Sequence, residues 1–304
     1  MADLSVMAAP AAGAAEWVWR QQSVWSQTAN RLKRDLTRWR ATALVLTITG
    51  AVLATLGTQV ATVSSPTGKG LVWAAAVAVG LVPVIQPRFG HQAVEAWTRA
   101  RSASETLKEQ VFTYLAGVSP YRGADRDQRL REQADATLAA VDDLQPHTAG
   151  IQPKPRPVPA VHDVDGYVAI RVNEQIHGYY RTQAGKLNDR LRWLRGAELT
   201  LAAAAVVLAA TAGSLGVKGA AAWVPVITTV SAALAAHVAA ARYEFLLVEY
   251  ARTAAQLERL RDGRQSLADP GQAAHADDGF VAQCERVISA QNEAWMAKLS
   301  SDPG

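Results

Sequence analysis

The sequence predicts an all-α integral membrane protein: two tandem two-span helical hairpins with long cytoplasmic helical extensions. Three observations predict it. Residues 41–63, 70–86, 199–217 and 220–241 form four runs without Asp, Glu, Lys or Arg, arranged as two close pairs. Basic residues crowd the outer ends of each pair, and the second half of the chain repeats the pattern of the first.

The run at 41–63 is the strongest. At about 1.5 Å per residue it reaches roughly 34 Å as a helix, enough for a hydrocarbon core of about 30 Å. The run at 70–86 is at the short end of the spanning range, and the two later runs sit within it. A hydrophobic fraction of 49% with near-zero mean hydropathy suits a chain that is part lipid-facing and part charged. A soluble Ala-rich helical protein matches that composition too, so the prediction rests on the uncharged runs. The single cysteine, Cys284, excludes an intramolecular disulfide and a cysteine-rich metal site. With a net charge of +4 and cations gathered at the apolar ends, anionic lipid headgroups are a simpler partner than nucleic acid.

In chain order, residues 1–15 lack the basic start of a signal peptide and read as a disordered tail. A first two-span unit occupies 16–145. Trp25, Ala29, Leu32, Leu36 and Trp39 recur at helical spacing among Arg31, Lys33, Arg34, Asp35 and Arg38, so an amphipathic helix runs straight into the first span. After the second span, past a break at Pro87, Trp97, Ala100, Ser104, Leu107, Val111 and Tyr114 form a coiled-coil-like seam. Residues 126–144 read as a short amphipathic helix, and 146–165 as a Pro-rich, semi-extended linker. The second unit spans 166–300, with Tyr243, Leu246, Tyr250, Thr253, Leu257 and Leu260 as the matching seam. A loop at 269–278 precedes a last amphipathic helix bearing Phe280, Cys284, Val287, Ile288, Gln291 and Trp295.

Lys and Arg set the orientation. Arg31, Lys33, Arg34, Arg38 and Arg40 precede the first pair of runs and Arg88, Arg99 and Arg101 follow it, with Lys69 alone between. Lys186, Arg190, Arg192 and Arg195 precede the second pair, Arg242 and Arg252 follow it, and Lys218 is alone between. The positive-inside bias then places both termini in the cytoplasm of a multi-pass protein of the inner (plasma) membrane. Trp73 and Trp223 fall near the outer helix ends, where an indole suits either the headgroup zone or simple packing.

Laying Ala29 on Ala184 aligns Leu32, Leu36, Arg40, Leu44, Leu46, Val52, Leu53 and Ala54 with Leu187, Leu191, Arg195, Leu199, Leu201, Val207, Leu208 and Ala209 without a gap. Laying Arg99 on Arg252 aligns Glu105 and Leu107 with Glu258 and Leu260. This is an internal duplication. Units that each cross twice share one orientation and are related by an axis along the membrane normal, not by inversion.

These residues carry a resemblance. Aromatic and basic segments leading into a two-span hairpin, followed by Trp97, Arg99, Arg101 and the run Glu105, Thr106, Leu107, Lys108, resemble the SLATT superfamily of two-transmembrane domains, in its bacterial domain-of-unknown-function branch. In the second unit Tyr250, Arg252, Glu258 and Leu260, with Glu285, Ile288 and Trp295, are similar to other members. The resemblance implies a membrane effector of the pore-forming kind, in a superfamily often linked to nucleotide-signalled defence. Here the unit is carried twice and no sensor domain accompanies it.

No enzymatic constellation emerges, and no cofactor or metal is expected. Residues 64–69 lack the leading glycine of a phosphate loop and have Gly70 where a Mg²⁺-binding hydroxyl belongs. His91, His147, His162, His177, His237 and His275 are scattered, without the spacing of a zinc site. Asp163, Asp165 and Gly166 resemble part of a calcium loop but read better as a helix cap or a linker turn.

Polar residues within the apolar runs are the pore-lining candidates: Thr47, Thr55, Thr58 and Thr62 on one face of the first, Thr200, Thr211 and Ser214 on the third, and Thr228 on the fourth. Small residues with back-bonded hydroxyls also suit close helix packing, and the two uses are compatible in an oligomer. Glu198 and His237 are ionisable candidates, explained equally by snorkelling or by a local Glu198–Arg195 pair. Pro83 and Pro225 are candidate kinks. The function that follows is a homo-oligomeric ion channel or pore in the lipid bilayer, with cytoplasmic helices for assembly or gating. The alternative is a non-conducting scaffold or signalling anchor for a cytoplasmic partner. A secondary transporter ranks third, because no buried charged pair marks a substrate site.

Overall fold

The computed structural model describes residues 13–62, 64–215, 222–265 and 273–300. Lys218, the tail before residue 13 and the start of the expected loop at 269–278 lie outside them. The described residues are helical almost throughout: α1 (Ala14–Val60), α2 (Ser65–Ile85), α3 (His91–Leu115), α4 (Arg126–Ala139), α5 (Val164–Tyr167), α6 (Thr182–Leu215), α7 (Val224–Ala241), α8 (Tyr243–Gln265) and α9 (Ala273–Ser300). Short 3₁₀ segments at Gln86–Arg88 and Asp142–Thr148 follow α2 and α4.

Two compact units arise, each drawing on both halves of the sequence. Of the described residues, a polar unit comprises those within Met1–Lys33, Glu95–Thr182 and Tyr250–Pro303, and an apolar unit those within Arg34–Val94 and Gln183–Glu249.

In the polar unit the apolar seams read from the sequence are the core. Trp97, Ala100, Ser104, Leu107 and Val111 of α3 are buried, as are Thr253, Ala254 and Leu257 of α8 and Phe280, Cys284 and Ile288 of α9. The side chains of Gln291 and Trp295 lie outside the described residues. Leu130 and Ala134 bury the inner face of α4. Gly117 adopts φ 67° just beyond α3, the left-handed conformation that ends a helix and that a residue without Cβ adopts at no cost.

Three features of this unit differ from the sequence reading. Residues 273–278 belong to α9 and not to a loop, because arginines hold the acidic residues of its first turns: Arg264 Nε meets Asp277 at 3.2 Å and Arg122 Nη2 meets Asp278 at 2.7 Å. The Pro-rich stretch is a strap laid on α1: Trp19 Nε1 donates to Pro157 O at 2.9 Å, Gln27 Nε2 to Gln152 O at 2.8 Å, and Lys154 N to Ser23 Oγ at 2.9 Å. Arg156 lies 3.9 Å from the Trp19 ring centroid. Beyond α5 the helix widens into π-helical turns, Val168–Val172 and Glu174–Arg181, whose i→i+5 pattern extends to Thr182 Oγ1 bonding His177 O at 2.8 Å. The buried residues here are Tyr167, Arg171, Val172, Gln175, Ile176 and Tyr180.

In the apolar unit three stretches are long and apolar enough to cross a membrane, within Ala14–Val60, Ser65–Leu115 and Val164–Ser214. The fourth, α7, is shorter, and Arg242 at φ 48° separates it from α8. Pro225 stands in the first turn of α7, where a missing N–H costs nothing, so it begins that helix instead of kinking it. Pro83 lies inside α2 near its end.

The end of α1 packs on α2 through glycine. A Cβ built on Gly57 would meet Val72 Cγ2 at 2.8 Å, and one on Gly68 would meet the Ala61 backbone at 2.6 Å, whereas Gly70 has open space. Gly68→Ala is therefore expected to destabilise the folded protein by about 1–3 kcal/mol through overpacking, with Gly70→Ala nearly neutral. Thermal unfolding of the two variants in detergent checks the difference.

Candidate functional site

The residues singled out in the apolar runs are placed as follows. Seven of the eight hydroxyls donate to a carbonyl three or four residues earlier: Thr47 to Ala43 O (2.9 Å), Thr58 to Thr55 O (2.8 Å), Thr62 to Gln59 O (2.6 Å) and Thr200 to Gly196 O (2.8 Å). Thr211 bonds Val207 O (3.0 Å), Ser214 bonds Ala210 O (2.7 Å) and Thr228 bonds Val224 O (2.6 Å). Thr55 is half-buried. Back-bonding of this kind satisfies a hydroxyl in an apolar setting without a partner helix. Glu198 is half-buried, but Arg195 does not pair with it: its Nη2 meets Glu244 Oε1 at 2.5 Å. The His237 side chain lies outside the described residues.

The motif residues of the charged helices lie in or near the polar unit's ionic contacts. Trp97 is buried, with Lys33 Nζ 5.6 Å from its ring centroid. Arg99 forks onto Asp143 at 2.7 and 2.6 Å and bonds Ala140 O, tying α3 to the 3₁₀ segment after α4. Glu258 binds Arg181 at 2.6 Å, and Arg252 is exposed.

Glu105 and Lys108 belong to a denser constellation, centred on two residues that lie 114 positions apart. Arg171, from the π-helical turn, is 1% exposed and Glu285, from α9, is 2% exposed. Their guanidinium and carboxylate interlock, Nε to Oε1 at 3.0 Å and Nη2 to Oε2 at 2.9 Å, and Tyr167 Oη adds a third bond to Oε1 at 2.8 Å. Arg171 also sits 5.0 Å from the Phe112 centroid. Phe112 in turn meets Trp19 and Tyr167 edge-on, at 6.1 and 6.4 Å. On α3, Arg101 and Glu105 pair at 2.7 Å.

The electrostatics follow from burial and neighbours. Burial works against the charge of Arg171, yet the attraction and hydrogen bonds of Glu285 raise its pKa above the ordinary range. Burial also opposes the charge of Glu105, but Arg101, Lys108 and Arg171 together hold its pKa down. Lys108 makes no ion pair or hydrogen bond among the described residues. Burial first, then Arg171 and Arg101, push its pKa down to about 8 against the opposing pull of Glu105 and Glu285. Cys284, beside Glu285, is pushed up to about 12 by burial and is an unreactive thiol at neutral pH. On the other side of Glu105, a half-open cleft of about 330 Å³ is lined by Ser102, Glu105, Thr106, Glu109, Ala282, Arg286 and Ser289.

Sequence reading missed Arg171 altogether. Its burial goes with a partner 114 positions away, which no local pattern of residues shows. Glu285 did leave a signal, as a carboxylate inside the apolar stripe from Phe280 to Ile288.

A helical protein with one polar and one apolar unit, built from a duplicated sequence, is thus the class that fold and site define. Residues 167–295 match the family described as SMODS and SLOG-associating 2TM effector domain 1, and residues 23–129 match a family described as protein of unknown function (DUF4231). The two matches lie in tandem along the chain, consistent with a duplicated SLATT-type domain. No curated protein and no solved structure is significantly similar. The ionic cluster joins the two domains: Arg171 and Glu285 fall within the first match, Arg101, Glu105 and Lys108 within the second.

Two outcomes are expected. Glu285→Gln strands a buried guanidinium and is expected to cost about 3–5 kcal/mol, whereas Arg171→Met with Glu285→Leu recovers most of that loss; chemical denaturation followed by hydrogen exchange in the polar unit distinguishes them. Because Lys108 releases its proton more easily folded than unfolded, its penalty is full below about pH 8 and fades as pH rises toward the ordinary lysine range. Stability is therefore expected to rise by about 2 kcal/mol between pH 8 and 10.5, and unfolding curves of Lys108→Met are expected to lack that rise.

Proposed function

We propose that the protein is a membrane-inserted effector that assembles with copies of itself around a conducting path, with the polar unit on the cytoplasmic side as the assembly or gating element. One observation carries the reading: the most apolar stretch within Val164–Ser214 has 0% of its residues buried. Leu199, Val206 and Val207 there are 74%, 69% and 61% exposed. A water-soluble monomer does not leave so continuous an apolar surface uncovered, whereas lipid or a neighbouring protomer covers it without cost. Val45 and Val84 add to that surface on α1 and α2. The family description of the second domain as a 2TM effector supports the same reading. Thr58, Thr62, Thr200, Ser214 and Thr228 are exposed, and so available to a weakly polar wall in an oligomer.

The distribution of Lys and Arg favours both termini in the cytoplasm and Lys69, in the first turns of α2, on the far side of the inner membrane. A non-conducting anchor is the competing reading, favoured by hydroxyls already bonded to their own helices.

Reconstitution separates the two. The purified chain is expected to float with liposomes, to resist carbonate extraction, and to release trapped ions or a small dye above the rate of empty vesicles. Firm insertion without release across several lipids and ionic conditions leaves the anchor; failure to insert removes both readings.

A further inference from the structure

The membrane edge of the apolar unit has a chemical identity of its own. Residues 34–40 and 186–195 carry seven Lys or Arg against two acids, Asp35 and Asp189. Each segment closes at the foot of an apolar stretch. Arg40 directly precedes Ala41, and Arg195 stands one helical turn before Leu199. Each segment is also one side of a helix that is seated elsewhere: Leu36, Leu191 and Leu194 are buried at 5%, 4% and 5% exposure, while Arg34, Arg38, Lys186 and Arg190 point outward. Among the described residues these four make no ion pair, although the chain holds 27 Asp and Glu. Their charges are left without counter-charge where the protein itself supplies none.

Trp193 stands among them at 70% exposure. Arg190 and Lys186, three and seven residues earlier, share its side of α6. An indole so exposed is costly in water but favoured in the headgroup zone, where its ring meets acyl carbon and its N–H meets phosphate or glycerol oxygen. The Arg190 guanidinium lies 5.4 Å from the Tyr243 centroid, held by its flat face with its N–H donors still available.

We propose that Lys186, Arg190 and Trp193, with Arg34 and Arg38 in the matching segment of α1, form a binding site for the headgroups of anionic phospholipids. The proposal rests on the membrane reading above. The ligand is a phosphodiester at the bilayer surface: unpaired cations attract its charge, and the exposed indole, placed at the apolar boundary, distinguishes a lipid from a free phosphate or a nucleic acid. Binding of this kind is electrostatic and weakens with salt.

The test uses the full chain in neutral detergent, with equal amounts of phosphatidylglycerol and phosphatidylcholine of identical acyl chains, and retained lipid read by native mass spectrometry. Phosphatidylglycerol is expected to be retained at least about fivefold over phosphatidylcholine, falling with salt as headgroup attraction predicts. Lys186→Gln with Arg190→Gln, and separately Trp193→Ala, are expected to remove most of that preference, while Arg259→Gln, an exposed arginine of α8, leaves it intact. Equal retention of the two lipids, an unaffected double variant, or displacement of the lipid by inorganic phosphate or a short oligonucleotide overturns the proposal. Flotation with pure phosphatidylcholine vesicles is scored alongside: its loss sinks the membrane reading, whereas its persistence without lipid preference sinks only the headgroup site.

Discussion

The polar unit depends on one buried carboxylate. Glu285 accepts three hydrogen bonds from Arg171 and Tyr167 in a place that water does not reach. An ionised side chain there is tolerable only while its partners stay in place, so α9 and the π-helical turn are bound to a single mutual arrangement. The aromatic rings of Trp19, Phe112 and Tyr167 close around the pair and fix α1 and α3 against the same point. Such a contact is poor as a source of net stability compared with apolar packing, but it is strict about geometry. Register errors between helices of similar Ala and Leu content would leave a charge stranded, which few other contacts in this core penalise as heavily.

The apolar unit obeys a different constraint. Its helices satisfy their own backbone and even their own hydroxyls, and small residues let α1 and α2 approach closely at Gly57 and Gly68. What they do not do is cover their own apolar side chains. The two units therefore divide the physical work. One builds a conventional core around a buried ion pair, and the other presents a surface whose energetics require lipid or a second protomer.

Much of this was legible from residue order. The seams of α3 and α8 are runs of three- and four-residue spacing: that of α3 is buried from Trp97 to Val111, and that of α8 at Thr253 and Leu257, with its remaining positions only partly buried. The reading of Asp163 as a helix cap also holds: its carboxylate accepts from Gly166 N at 2.7 Å. The strap at 151–161 was visible as proline, but its attachment was not. Proline content reports local extension, whereas docking on Trp19 and Ser23 depends on residues more than 130 positions away. The partner of Arg195 stayed open for the same reason, a local pair with Glu198 being one of two explanations the sequence offered. A neighbour in sequence, Glu198, was the obvious acid, and a neighbour in space, Glu244, holds the guanidinium.

The sequence by itself determined the helical class, the duplication, the apolar stretches and the faces that helices of ordinary pitch would bury. All of these are set by local periodicity and composition, which act over a few turns of chain. Only the tertiary structure decided that Arg171 is interior, that Glu285 is its partner, and that Lys108 lies beside them with no ion pair or hydrogen bond among the described residues. Those outcomes arise because helices far apart in sequence converge, a cause that has no signature within any short window of residues.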